Sequence, residues 1–252
     1  MWRWLVEVAG IALELFVLVR SAWVRNLPRY YFFYIYVASV MIASAVMMTV
    51  VLRAPGLYQN WYWPLQLTTL VTGYGILLEI LNHVLAPYPG AERFARIACL
   101  AAFGTIFCFA LIAPRVMPRW SPGTVIEFER DLRSVQALFI FGLLALIFYY
   151  GIPIARNMKG MVLGYGLYIL TSLVSLAVRS YAGPSFTSTW RVVQPLCFDV
   201  TLVVWLVALW SYCPNPVPDH SIHLEEDYEA LANRTRNVIG MIRTYIGKAA
   251  RA

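Results

Sequence analysis

Glu14 and Asp199 are carboxylic acids set near the middle of two long apolar stretches. An ionisable side chain in hydrocarbon costs at least ~2.5–3.5 kcal/mol on insertion scales, so each calls for a partner or a purpose. If the two stretches pack side by side, the carboxyls can share a proton, because like charges at close range cannot both ionise in a low dielectric. Such a pair makes a protonation switch or a cation site. The structural alternative is two protonated acids hydrogen-bonded to Tyr, Ser or Thr on neighbouring segments. Pro195, one turn before Asp199, removes a backbone hydrogen bond and can open a polar notch there. Glu79 and His83 stand four residues apart, on one face of a helix. Zinc takes at least three protein ligands. The other two histidines, His220 and His223, lie far along the chain, so a hydrogen-bonded Glu79–His83 pair is expected rather than a metal site. Glu7, nearer a membrane surface, is expected to snorkel or to pair with Arg179 or Arg191.

Several chemistries lack their residues. The last apolar stretch has no lysine for a retinal Schiff base, and no pair of histidines on the later stretches suits haem or a zinc hydrolase. No Walker A, GxSxG or HExxH motif occurs, and no inverted repeat stands out. No cofactor is expected, and a lipid-modifying enzyme ranks last among the readings because no nucleophile–base or metal constellation can be assembled from these residues. Cys99, Cys108, Cys197 and Cys213 form no CxxC pair and read as free thiols acting as small apolar residues.

The elements that must position these acids are membrane spans. The chain has 252 residues, of which 60% are hydrophobic and 13% charged. A soluble domain carries about 25% charged residues. Seven apolar blocks, at 4–24, 30–52, 60–86, 94–113, 135–155, 158–181 and 188–212, are each long enough for a helix to cross ~30 Å of hydrocarbon. The expectation is an all-α, polytopic seven-transmembrane-helix bundle over residues 1–213, followed by a Pro-rich linker and a cytoplasmic amphipathic helix over 214–252. The first block carries Glu7 and Glu14 and leads into further apolar sequence, so it reads as a span and not a cleaved leader. Breakers such as Pro55-Gly56 and Pro87-Tyr88-Pro89-Gly90 separate the blocks. Arg156-Asn157 reads as a very short turn between the fifth and sixth. Residues 114–134, rich in Arg, Glu and Asp, read as the longest loop, folded over the outer mouth of the bundle. Gly73, Gly75, Gly160, Gly164 and Gly166 read as points of close helix packing.

The formal net charge of +7 does not point to nucleic acid. The arginines sit at the ends of apolar blocks, where they anchor helices at headgroup depth and set orientation. With the N-terminus outside, twelve basic residues fall inside and eight outside, which favours a cytoplasmic C-terminus. Trp2 and Trp4, Tyr30 and Tyr31, and Tyr58, Trp61, Tyr62 and Trp63 mark the interfaces. In the tail, Leu224, Tyr228, Leu231, Thr235, Val238, Ile242, Tyr245 and Ala249 recur at heptad spacing, with acidic residues at the start and basic ones at the end. Residues 224–249 can pair with a partner helix or with their own copies. Alternatively they lie on the membrane, with Ile239, Ile242 and Ile246 in lipid.

The run Tyr62-Trp63, Leu78-Glu79-Ile80, His83-Val84 and Pro87-Tyr88-Pro89-Gly90 resembles a group of bacterial inner-membrane proteins of unknown activity, over about 35 residues. The resemblance implies a bacterial inner membrane and adds weight to Glu79 and His83; it implies no substrate. The leading expectation is a sensory or signalling module that relays to a cytoplasmic partner through its tail. Alternatives are a proton-coupled transporter or channel, and an accessory subunit of a membrane complex. The residues expected to bind a ligand or proton are Glu14, Asp199, Glu79 and His83.

Overall fold

The computed structural model describes residues 2–24, 27–116, 122–179, 184–216 and 223–249, with side chains over most of these. Among the described residues the chain is all-α. Eight α-helices follow in order: α1 (Trp2–Val24), α2 (Tyr31–Arg53), α3 (Tyr58–Leu85), α4 (Pro89–Val116), α5 (Pro122–Tyr150), α6 (Arg156–Arg179), α7 (Pro184–Ala208) and α8 (Leu224–Ala249). A short 3-10 turn, Pro55–Leu57, leads into α3.

The first seven helices close a ring. Each packs on its neighbours in sequence, and α1 returns against α7. Helix α3 leans inward and also touches α5 and α6. Two hydroxyls fix that position: Tyr74 donates to the Leu132 carbonyl at 3.0 Å, and Tyr165 to the Gly73 carbonyl at 2.8 Å. Close approach depends on glycine where large rings cross. A side chain at Gly164 would run into Trp205, one at Gly160 into Ala208, and one at Gly75 into Phe32.

Four segments, Tyr31–Arg53, Asn60–Leu85, Phe128–Tyr150 and Arg156–Val178, are long and apolar enough to cross a membrane. The exterior agrees. Leu138, Phe148, Leu163 and Val207 stand exposed on the outer faces, while Glu14, Glu129, Arg133, Gln136 and Thr201 are buried within. Apolar outside and polar inside is the arrangement that lipid favours. Helix α1 is as long as α2 but carries Glu7, Glu14 and Arg20.

Three expectations need correction. Residues 114–134 are not one long loop, because α4 runs to Val116 and α5 begins at Pro122, a residue suited to a first helical turn. Consequently Arg133 lies inside the bundle and not on an outer surface. Arg156 and Asn157 are no turn; they open α6, and the chain reverses over residues 151–155. Gly151 there has φ of 63°, the left-handed conformation that ends a helix. Residues 117–121, His220 and the side chains of Trp2, Trp4, Arg179, Arg191, Tyr245, Ile246 and Ala249 lie outside the described residues.

Candidate functional site

A cavity of about 400 Å³ lies among α1, α2, α3, α6 and α7. It draws on the N-terminal half of α1, the C-terminal half of α2 and the N-terminal half of α3, so it occupies the end of the bundle away from α8. Its size is that of a small-molecule site. The walls mix apolar side chains with Tyr58, Tyr62, Tyr168 and Phe198. Its acids are Glu7, Glu14 and Asp199; among the described residues no Lys or Arg lines it.

A shared proton between Glu14 and Asp199 required their helices to pack side by side; α1 packs on α7, and both acids line this cavity. Gly10, one turn before Glu14, makes room: a Cβ there would sit 2.9 Å from Asp199 Oδ1. Glu14 is 2% exposed, and its Oε2 has no hydrogen-bond partner among the described residues. A buried oxygen left that way costs about 1–3 kcal/mol. Pro195 lines the cavity beside Asp199, in the place where the sequence suggests a notch.

Glu79 and His83 lie elsewhere, at the opposite end. The Glu79 carboxylate accepts the backbone N–H of Phe33 at 2.8 Å and of Phe32 at 3.2 Å. These are orphan donors of the first turn of α2, and a carboxylate there also meets the positive end of the helix dipole. Glu79 and His83 are hydrogen-bonded to each other, but through the main chain of Glu79. His83 Nδ1 lies 2.8 Å from the Glu79 backbone carbonyl, and its ring packs on Tyr30.

One buried cluster went unread in the sequence. Arg133 donates to Glu129 at 2.9 Å, one turn apart on α5, and Gln66 donates to the same oxygen at 2.6 Å. Arg133 also donates to the Tyr168 hydroxyl at 3.2 Å. Gln66 and Tyr168 line the cavity, so this ion pair braces its wall. The i, i+4 acid–base spacing inside a Phe128, Leu132, Val135 stripe was the available signal.

At the far end the segment after α7 is stitched across the bundle. Arg20 lies over the Trp210 ring at 4.4 Å and Arg29 over Tyr212 at 3.7 Å. Asn215 accepts from Ala155 N at 3.0 Å and donates to the His83 carbonyl at 3.1 Å. Arg156 donates to Ser211 Oγ at 2.6 Å. Helix α8 docks beside these groups. Glu225 accepts the Gly90 N–H at 2.7 Å at the start of α4, and Tyr150 donates to Asp227 at 2.9 Å. Leu224 is buried, whereas Leu231, Val238, Ile239, Met241 and Ile242 are exposed. No family model, curated protein or solved structure matches the chain.

Proposed function

We propose that this chain is a seven-span protein of a bacterial inner membrane, N-terminus outside and C-terminus in the cytoplasm, that binds a small ligand in its outer cavity and relays occupancy through α8. Helices α1, α4 and α7 join the four apolar segments as spans because they complete the same ring at comparable length. The observation that carries the relay is the path of α7. It supplies Asp199 to the cavity and ends at Ala208, and the residues that follow it, Trp210 to Asn215, form the clamp that precedes α8 in the chain. Movement of α7 against α1 therefore loads the clamp and the docked first turn of α8. The exposed apolar face beyond Leu231 is available to a second copy or a cytoplasmic helix. Disulfide crosslinking through Val238→Cys in membranes, with the exposed Cys108 replaced by Ser, tests this. A tail-to-tail adduct or one discrete partner adduct is expected; a tail that stays monomeric sinks the relay.

A second reading, proton-coupled transport, is favoured by Glu14 and Asp199 sharing the cavity. It requires that Glu14→Gln and Asp199→Asn each abolish proton flux in liposomes, and unchanged flux in both removes it.

A further inference from the structure

The chemical class of the ligand follows from what the cavity offers and what it leaves unpaired. We infer that the cavity between α1 and α7 binds a protonated primary or secondary amine carried on an apolar or aromatic body, with Glu14 and Asp199 receiving the ammonium group. This rests on the reading of the cavity as a ligand site and is independent of the relay to α8.

Four observations converge. Among the described residues the lining carries the carboxyl groups of Glu14 and Asp199, with Glu7 on the same wall, and no basic side chain, so the field at Glu14 and Asp199 attracts positive charge. Arg133, a buried cation behind the Tyr168 wall, is neutralised by Glu129 at 2.9 Å. Glu14 Oε2, buried and without a donor among the described residues, needs an N–H or O–H brought by the occupant. A quaternary ammonium has no N–H, so it satisfies charge but not that oxygen. The remaining wall is aromatic and aliphatic. Tyr168 and Phe198 stand edge to face with ring centroids 5.3 Å apart, and Tyr58 and Tyr62 stack at 5.7 Å. Such faces hold an organic cation by cation–π attraction and hold its carbon body by burial. A bare metal ion fits less well. Among the described residues no three His, Cys, Asp or Glu side chains converge as ligands, and about 400 Å³ is far more room than a single ion fills.

The ammonium can arrive on a free amine or on an ethanolamine lipid headgroup, and one experiment separates them. The full chain is placed in nanodiscs of phosphatidylcholine and phosphatidylglycerol and titrated by calorimetry at pH 7. The probes are phenethylamine, 1-aminohexane, neutral 2-phenylethanol and the trimethylammonium analogue of phenethylamine. Saturable binding of an amine, at least about tenfold tighter than the alcohol and the quaternary analogue, is expected. Glu14→Gln and Asp199→Asn are each expected to weaken it about tenfold or more. Glu226→Gln, on α8 at the other end, is expected to leave it unchanged. Gly10→Ala gives a gentler variant, since the added Cβ displaces Asp199 Oδ1 without removing a charge, and a severalfold weakening is expected. Repeating the titration with phosphatidylethanolamine in the disc assigns the source: competition points to the headgroup, and unchanged affinity to a free amine. The inference is overturned if neither amine binds saturably, if the alcohol binds as tightly, or if Gly10→Ala and both acid variants keep full affinity. A tail that fails to crosslink would remove the relay while leaving these titrations as they are.

Discussion

Glu79, near the end that carries α8, and Glu14, midway along α1 in the cavity wall, are both carboxylic acids buried within the helical ring, and they are treated in opposite ways. Glu79 accepts two backbone N–H groups from the first turn of α2, a task that ordinary folding requires. At the same end Glu225 does the same for α4. Glu14 lies against a cavity, beside a second acid, with an oxygen that nothing among the described residues satisfies. Burial of an acid therefore does not by itself mark a site. What distinguishes the two is whether the fold supplies the donor, and only Glu14 is left waiting for one. The acids at the end that carries α8 thus complete helix starts, whereas Glu14 keeps an unmet oxygen in the cavity wall.

The comparison can be broken most forcefully between the two, at the brace. Arg133→Met removes the cation that Glu129 was folded around and leaves that carboxylate with Gln66 alone. Breaking a buried pair in this way costs about 3–5 kcal/mol. Thermal unfolding in detergent should show the largest fall of any single change here, and adding Glu129→Leu should recover much of it. Full stability in the single variant would mean the pair braces nothing.

Glu79→Ala comes next. It strands the Phe32 and Phe33 N–H groups at a buried helix start, for a loss of about 2–3 kcal/mol. The effect should be read as lowered stability, with the cavity's ligand affinity changed by less than about threefold, because Glu79 is not among the lining residues. A large affinity loss in a well-folded Glu79→Ala protein would erase the distinction between the two acids.

Glu225→Ala sharpens the comparison at the surface. Its bonds to Gly90 and Ala91 are only part-buried, so about 1 kcal/mol is at stake. That suffices to loosen the first turn of α8, and hydrogen exchange at Gly90 should rise while the rest of α4 stays protected. Unchanged exchange at Gly90 would mean that burial of Leu224 and the Tyr150–Asp227 bond hold the start of α8 without Glu225.

The long helices were legible because period and length speak directly: seven apolar blocks became seven helices, with ends moved by several residues. The amphipathic tail was equally plain, since its apolar residues recur every three or four positions. That Glu14 and Asp199 line one cavity was legible only on the condition that the first and last apolar stretches pack side by side. The N-terminal part of α5 was hidden because Arg130, Asp131 and Arg133 give it a loop's composition, and only the spacing of Phe128, Leu132 and Val135 betrays a helix. The role of Glu79 was hidden for a different reason. Its partners are backbone amides of another helix, and an amide has no letter in a sequence. The same is true of the clamp by Asn215, which binds one N–H and one carbonyl from distant segments.

The smallest effect is the most discriminating. A residue kept for binding commonly lowers stability, whereas one kept for folding raises it. Glu14→Gln keeps the shape of the side chain and replaces an orphan carboxyl oxygen, which finds no donor in the fold, by an amide whose N–H₂ can reach the neighbouring Asp199 or the cavity's hydroxyls. Stability in the ligand-free protein should therefore hold or rise, by up to about 1 kcal/mol. The same exchange at Glu79 must lower it, because an amide presents a single acceptor oxygen of weaker charge to two N–H donors. Measured side by side in one detergent, the two Glu→Gln variants should move the unfolding midpoint in opposite directions. If both fall together, Glu14 is a structural acid like Glu79, its partner lies outside the described residues, and the cavity loses its strongest mark of a ligand.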